Sequence, residues 1–378
     1  MIDAPAIGST SNSKMKYREK DEMLWKQMIS LTLLYASVII GWIAYYNYQP
    51  ILLQTYDFTH LTLFLFISQG IILVVTPLIA GKLGDKYRFT AGKRLPIISA
   101  GVSFAAMIFM ATAFTLFSEP GPIFRWILPG LIVVWLFSMA LFTSPALSTI
   151  EVFVPIRKLP TAMALLTIVY GLLYAIEPVI VDLINFLGAP LTFVVGGVAV
   201  FLSGLLMRKN TTYIVDKPKV NDHGKSDYTY ALSLGMALGV ATTVLFNVFP
   251  QWFTERSFTI FGLGDSKIVC LVLALVAAIS LPISKIVESR SVFKSVLISI
   301  LGTLIVSFGL YFIENSAITF VLLLLFAVFY AVMSVSFLPT ALTIVNDKNK
   351  VFGVGVFFAG FEIPNGILEA FMKATGSF

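Results

Sequence analysis

Four carboxylates stand inside long apolar runs: Glu177 and Asp182 in one, Glu362 and Glu369 in another. An ionised side chain at a bilayer centre costs a few kcal/mol even on permissive scales, so such acids face a cavity or a partner. Glu362 lies about a dozen residues into its run, roughly 18 Å at 1.5 Å per residue, which puts it nearest the midplane. Glu177 and Glu369 lie further out, and Asp182 can reach the outer surface. Helical spacing puts Glu362, Asn365 and Glu369 on one face, and Tyr170, Tyr174 and Glu177 on another. Counted from Lys158 and Lys350, Glu177 and Glu369 occupy equivalent places in their runs. No Lys or Arg falls at similar depth. That isolation suits proton carriage by Glu362, Glu177 or Glu369, and it equally suits a neutral Glu362 hydrogen-bonded to a neighbouring helix.

A second set of residues could hold a solute. Trp42, Tyr45, Tyr46 and Gln49 fall at i, i+3, i+4 and i+7, and Asn247 and Gln251 are one turn apart beside Trp252. Aromatic faces cover C–H patches while amides bond hydroxyls, which suits a sugar, and an aromatic drug fits the same rings. With Tyr170 and Tyr174 these are the candidate substrate contacts. The competing reading is an interfacial aromatic belt near the outer membrane surface.

The elements that must carry these residues are eleven apolar segments at 27–49, 61–80, 96–117, 125–148, 160–186, 190–207, 229–253, 266–284, 293–313, 317–345 and 351–372. Each has the length that a hydrocarbon core requires. With the N-terminus in the cytoplasm, all but Arg125, Arg256, Lys267 and Lys373 of the 26 Lys and Arg residues fall in the inner connections. Basic loops resist translocation, so this bias sets both count and orientation. The expectation is an all-α polytopic protein of a bacterial-type inner membrane. The net charge of +6 is then an inner-face excess that anionic lipid can meet, and it needs no nucleic acid. Cys270 is the only cysteine, and His60 and His223 sit in loops on opposite sides, so neither a disulfide nor a metal site is expected. No phosphate-binding glycine loop, nucleophile elbow or zinc-binding His–Glu pair occurs, and neither an enzyme nor a cofactor is expected.

The polar stretch from Arg208 to Tyr228 separates six segments from five, and landmarks recur across it. Tyr46-Asn47-Tyr48-Gln49-Pro50 answers to Phe246-Asn247-Val248-Phe249-Pro250, and Pro145-Ala146-Leu147-Ser148 to Pro339-Thr340-Ala341-Leu342-Thr343. Pro77 with Asp85-Lys86 answers to Pro282 with Glu288-Ser289-Arg290. The expected units are a cytoplasmic segment 1–26, a six-helix bundle 27–208, a linker 209–228 and a five-helix bundle 229–378. A twelfth span is then either lost by truncation or supplied by a partner, a choice the sequence leaves open.

Between the second and third segments the chain reads Gly81-Lys82-Leu83-Gly84-Asp85-Lys86-Tyr87-Arg88, then Gly92-Lys93-Arg94-Leu95-Pro96. This resembles the cytoplasmic signature of major facilitator superfamily transporters. More narrowly it is similar to the sucrose-transporter and glycoside–pentoside–hexuronide symporter branch. The Tyr46–Pro50 stretch, Phe337-Leu338-Pro339, Gly355 and Pro364-Asn365 carry the same likeness. Departures occur where that branch often has an Arg and an acid around the fourth segment, here Ser144-Pro145 and Ile150-Glu151, and where Phe358 replaces an Asn. The resemblance implies a two-bundle secondary transporter in which segments 1, 4, 7 and 10 line a central cavity. It implies a small solute, a sugar or glycoside first and an exported amphipathic compound second, with protons or sodium as coupling ion. A membrane scaffold or sensor is the reading from another class. In the signature, Asp85 is expected to act as a gate latch, Arg88 as latch or topology marker, and Lys93 and Arg94 as topology markers.

Overall fold

The computed structural model describes residues 22–118, 121, 126–218, 224–255, 265–290, 292–313 and 315–375. Readings that rest on Lys14, Lys16, Arg18, Lys20, Arg125, Lys219, His223 or Arg256 lie outside those residues. Eleven described helices are long and apolar enough to cross a membrane. In chain order they are α1 (Trp25–Thr55), α2 (Thr62–Ala91), α3 (Leu95–Phe117), α4 (Ile127–Ser148), α5 (Leu159–Ala175) and α6 (Glu177–Thr211). After the linker come α7 (Tyr228–Thr243, continuing to Glu255), α8 (Asp265–Ser289), α9 (Val292–Phe312), α10 (Ser316–Ile344) and α11 (Lys350–Thr375). Large exposed side chains such as Phe114, Phe186 and Ile305 stud the outside, as lipid contact requires. The chain is an integral membrane protein.

Three features bear on the site. Gly188 adopts φ 75° and ψ 163° inside the run assigned to α6, so residues 177–187 extend α5 and the next span begins after that glycine. The expected boundary between 186 and 190 stands there, because only a residue without Cβ takes that conformation readily. Next, α7 passes through a π-turn at Val244–Val248 before resuming at Phe249–Glu255. Such turns insert a residue into the helical ladder and re-aim the side chains beyond it. Finally, α2 overruns its expected end at residue 80 and stops at Gly92, whose φ of 66° is the left-handed cap. The signature from Gly81 to Arg88 is therefore helix rather than loop. Gly81, Gly84, Asp85 and Arg88 share one face.

That face meets the start of α11. A Cβ on Gly81 would lie 2.7 Å from Phe352 Cα, one on Gly84 2.6 Å from Val351 Cγ1, and one on Gly355 2.3 Å from Pro77 O. The contact continues toward the other end, where Gly70 faces Gly366. α5 and α8 repeat the arrangement, with Gly171 against Leu273 O and Ala277.

Candidate functional site

At the signature end, Asp85 is buried and its two oxygens accept from Val351 N at 3.1 Å and Phe352 N at 2.9 Å. These are orphan donors in the first turn of α11, where a carboxylate also meets the positive end of the helix dipole. Arg88, 1 % exposed, forms ion pairs with Asp85 at 3.6 Å, Asp216 at 3.1 Å and Asp347 at 3.2 Å. Arg94 is equally buried. It pairs with Asp216 at 2.6 Å and with Glu151, and it donates to Ser148 O. Burial penalises its charge, yet Asp216 and then Glu151 hold the guanidinium above its ordinary range. A merely topological arginine stays in water, whereas this one joins α3 to α4 and the linker. Lys93 donates to Thr212 O, and Lys86 is exposed. Gly92 O accepts from Asp216 N at 2.7 Å, so the linker is strapped onto the α2–α3 turn.

The related contact in the other half lies between α8 and α5. Glu288 accepts from Thr161 N at 3.2 Å and from the Thr161 hydroxyl. Thus the acid near the end of α2 caps α11, and the acid near the end of α8 caps α5. The recurrence of Asp85 and Glu288 expected from sequence has a structural counterpart.

Between the halves lies a cavity of about 570 Å³. Its lining runs from Leu147, Met163 and Leu338 near the capped end to Pro50 and Phe66 near the opposite one. Of the expected substrate contacts, Trp42, Tyr46, Tyr170, Tyr174 and Asn247 line it, as do all three acids Glu177, Glu362 and Glu369. Tyr170 and Tyr174 rings are 4.8 Å apart, and Phe246, which sequence reasoning missed, sits 5.1 Å from Tyr174.

Three expected contacts point elsewhere. Tyr45 is buried and stacks on Trp135 at 4.8 Å. Gln49 lies behind the same wall in a small void beside Trp135 and Phe193. Gln251 is exposed and outside the cavity lining. The reason for the first two is angular: at 100° per residue, positions 45 and 49 lie about 60° and 20° to one side of Trp42, and Tyr46 about 40° to the other. The wall between cavity and core runs through that stripe.

Polar groups near the far end form a relay. Tyr45 Oη donates to Gln69 Oε1 at 2.8 Å, which aims the Gln69 amide nitrogen at Glu369 Oε2, 3.1 Å away, and at Tyr46 Oη. Asn365 Nδ2 donates to Glu369 Oε1 at 2.8 Å, and Asn247 Nδ2, from the π-turn, donates to Asn365 Oδ1 at 2.8 Å. Glu369 thus joins α11 to α2. Gln69 was not foreseen, although an amide in an apolar run was its signal. No hydrogen-bond partner of Glu177 or Glu362 is seen among the described residues.

Two packed halves around a cavity, with helix pairs capped across them, have the fold of solved major facilitator transporters. The human organic anion transporter MFSD10 (TETRAN) superimposes with a TM-score of 0.68 at 12 % identity, over 92 % of this chain and 93 % of that one. A bacterial homologue of the iron transporter ferroportin in its outward-facing state gives 0.65 at 16 % identity, over 92 % of each chain. The major facilitator transporter FucP in the outward conformation gives 0.61 at 14 %, covering 90 % of this chain and 89 % of that one. No protein-family model and no curated protein matches the sequence. These likenesses establish the fold, and with it the two-bundle architecture expected from sequence.

Proposed function

We propose that the protein is a secondary transporter that moves a small organic solute by alternating access, without enzymatic chemistry. The observation that carries this reading is the central cavity, closed at the end where Asp85 and Glu288 cap helices of the opposite half. With the basic connections cytoplasmic, that end is the inner one, so this conformation is closed on the inner side. The expected bundles 27–208 and 229–378 rock about the α2–α11 and α5–α8 contacts, and residues 209–228 tie them. Among the solved relatives of this fold is an E. coli fucose:proton symporter. That precedent and the acids in the cavity favour a proton as coupling ion, with Glu362 as its carrier. A sugar or glycoside was the first expectation. Of the three amides meant to bind its hydroxyls, only Asn247 reaches the cavity, and it already serves Asn365, which weakens that substrate class.

The test uses single cysteines placed at each end of α2 and α11 in a Cys270→Ser background. Membrane-impermeant labelling should be strong at the end opposite Asp85 and weak beside it, and Asp85→Asn should invert the ratio. Labelling that stays fixed under every variant and solute leaves a static scaffold, not a transporter.

A further inference from the structure

The geometry points to an organic cation as the occupant of the central cavity. This inference rests on the transporter reading for its setting, since it names the substrate class of that same site. Among the Asp, Glu, Lys, Arg and His side chains of the described lining, all are acids: Glu177, Glu362 and Glu369 contribute, and no Lys, Arg or His does. Glu369 is engaged by the Asn365 and Gln69 amides, whereas Glu177 and Glu362 stand without a protein partner in view, one from each half. A cation entering between them would supply the counter-charge that the chain itself omits.

The rest of the wall suits the body of such a ligand. Trp42, Tyr46, Tyr170, Tyr174 and Phe246 bring aromatic rings to the lining, and ring faces attract ammonium and phosphonium groups through their quadrupoles. A volume of about 570 Å³ falls within the range of drug-sized ligand sites, about 300–1,000 Å³. The buried wall residue Thr243 adds a hydroxyl without a hydrogen-bond partner.

Three other solute types fit less well. An organic anion would meet carboxylates and no base. A bare metal ion needs converging ligands, and among the described residues no three His, Cys, Asp or Glu side chains form such a group. A sugar draws on amides beside acids and hydroxyls, and the lining amides of Asn247 and Asn365 already donate to Asn365 and Glu369.

The test compares ligands of one shape and opposite charge on the purified full chain in detergent. Tetraphenylphosphonium should bind saturably, with tetraphenylborate and sucrose at least about tenfold weaker. Glu177→Gln with Glu362→Gln should weaken the phosphonium about tenfold or more while leaving the chain monodisperse. Equal binding of the borate, preferred binding of sucrose, or undiminished phosphonium affinity in the folded double variant overturns the inference. Because the ligand series runs on the unaltered protein, it stands even if the variant fails to fold. Binding needs no transport, so the outcomes separate. A chain that binds phosphonium without changing its labelling keeps this inference and loses the transporter reading. One that changes labelling with another solute and ignores phosphonium does the reverse.

Discussion

At the scale of single residues, Asp85 and Arg88 differ in what they do for the closed end. Asp85 satisfies two backbone donors of α11 and is neutralised by replacement with asparagine at nearly constant size. Asp85→Asn should therefore leave expression and melting largely unchanged, shift cysteine labelling toward the signature end and, on the transporter reading, lower transport. Arg88 is buried among three acids, and removing one partner of a buried pair costs about 3–5 kcal/mol. Arg88→Ala should lower the thermal midpoint as well as transport, so melting curves separate the two roles; an unchanged midpoint in Arg88→Ala would mean that the acids find water. The Gly81–Arg94 signature was legible in the sequence because its residue types are constrained by close approach and charge pairing. The partners were not. Asp216 and Asp347 come from distant connections, and nothing local marks a linker acid as the mate of Arg88 and Arg94.

The same residue-level limit explains the cavity. The acids were legible because a carboxylate in an apolar run has few tolerable surroundings. Tyr45 and Gln49 were misplaced because periodicity gives a helical face and not the neighbour that covers it. If Glu362 carries the coupling proton, Glu362→Gln should abolish accumulation against a gradient. Glutamine copies the protonated acid in shape but cannot release a proton. At saturating solute, exchange across the membrane should persist. A variant that still concentrates solute in response to a pH gradient would return Glu362 to a packing role.

At the scale of elements, small residues decide how closely helices meet, and the two classes of contact can be told apart. Gly235 and Gly239 of α7 lie against α11 within one half, where an added Cβ would come within 2.0 Å of Phe357 O and 2.2 Å of Phe361 O. Gly355 of α11 lies against α2 of the other half, with Pro77 O at 2.3 Å. Overpacking a close contact costs about 1–3 kcal/mol. Gly235→Ala should spend that cost on the fold, seen as a lower melting midpoint. Gly355→Ala should instead disfavour the conformation closed at that end, seen as greater labelling beside Asp85 with melting little changed. Equal loss of stability in both would show that the α2–α11 contact is permanent. Span positions were legible here to within a few residues at most ends, since hydrophobic length sets them. The π-turn was not, because no composition distinguishes Val244–Val248 from ordinary helix.

At the scale of the whole molecule, the question is whether the two capped ends act as one switch. Asp85 joins α2 to α11 and Glu288 joins α8 to α5, both across the halves and both at the same end. Among the described residues the two acids share no hydrogen-bond partner, so their contributions to a single two-state equilibrium should add as free energies. A hydrogen bond to a charged group contributes about 1.5–3 kcal/mol, so losing one shifts a population ratio by about tenfold or more. In the labelling assay, Asp85→Asn and Glu288→Gln should each raise the ratio of reactivity at the capped end to that at the opposite end, and the double variant should multiply the two increases. A two-bundle fold rocking as rigid halves requires that product, because neither contact can open while the other holds. If the double variant gives no more than the larger single effect, the contacts belong to independent local motions, and opening proceeds by flexing of individual helices.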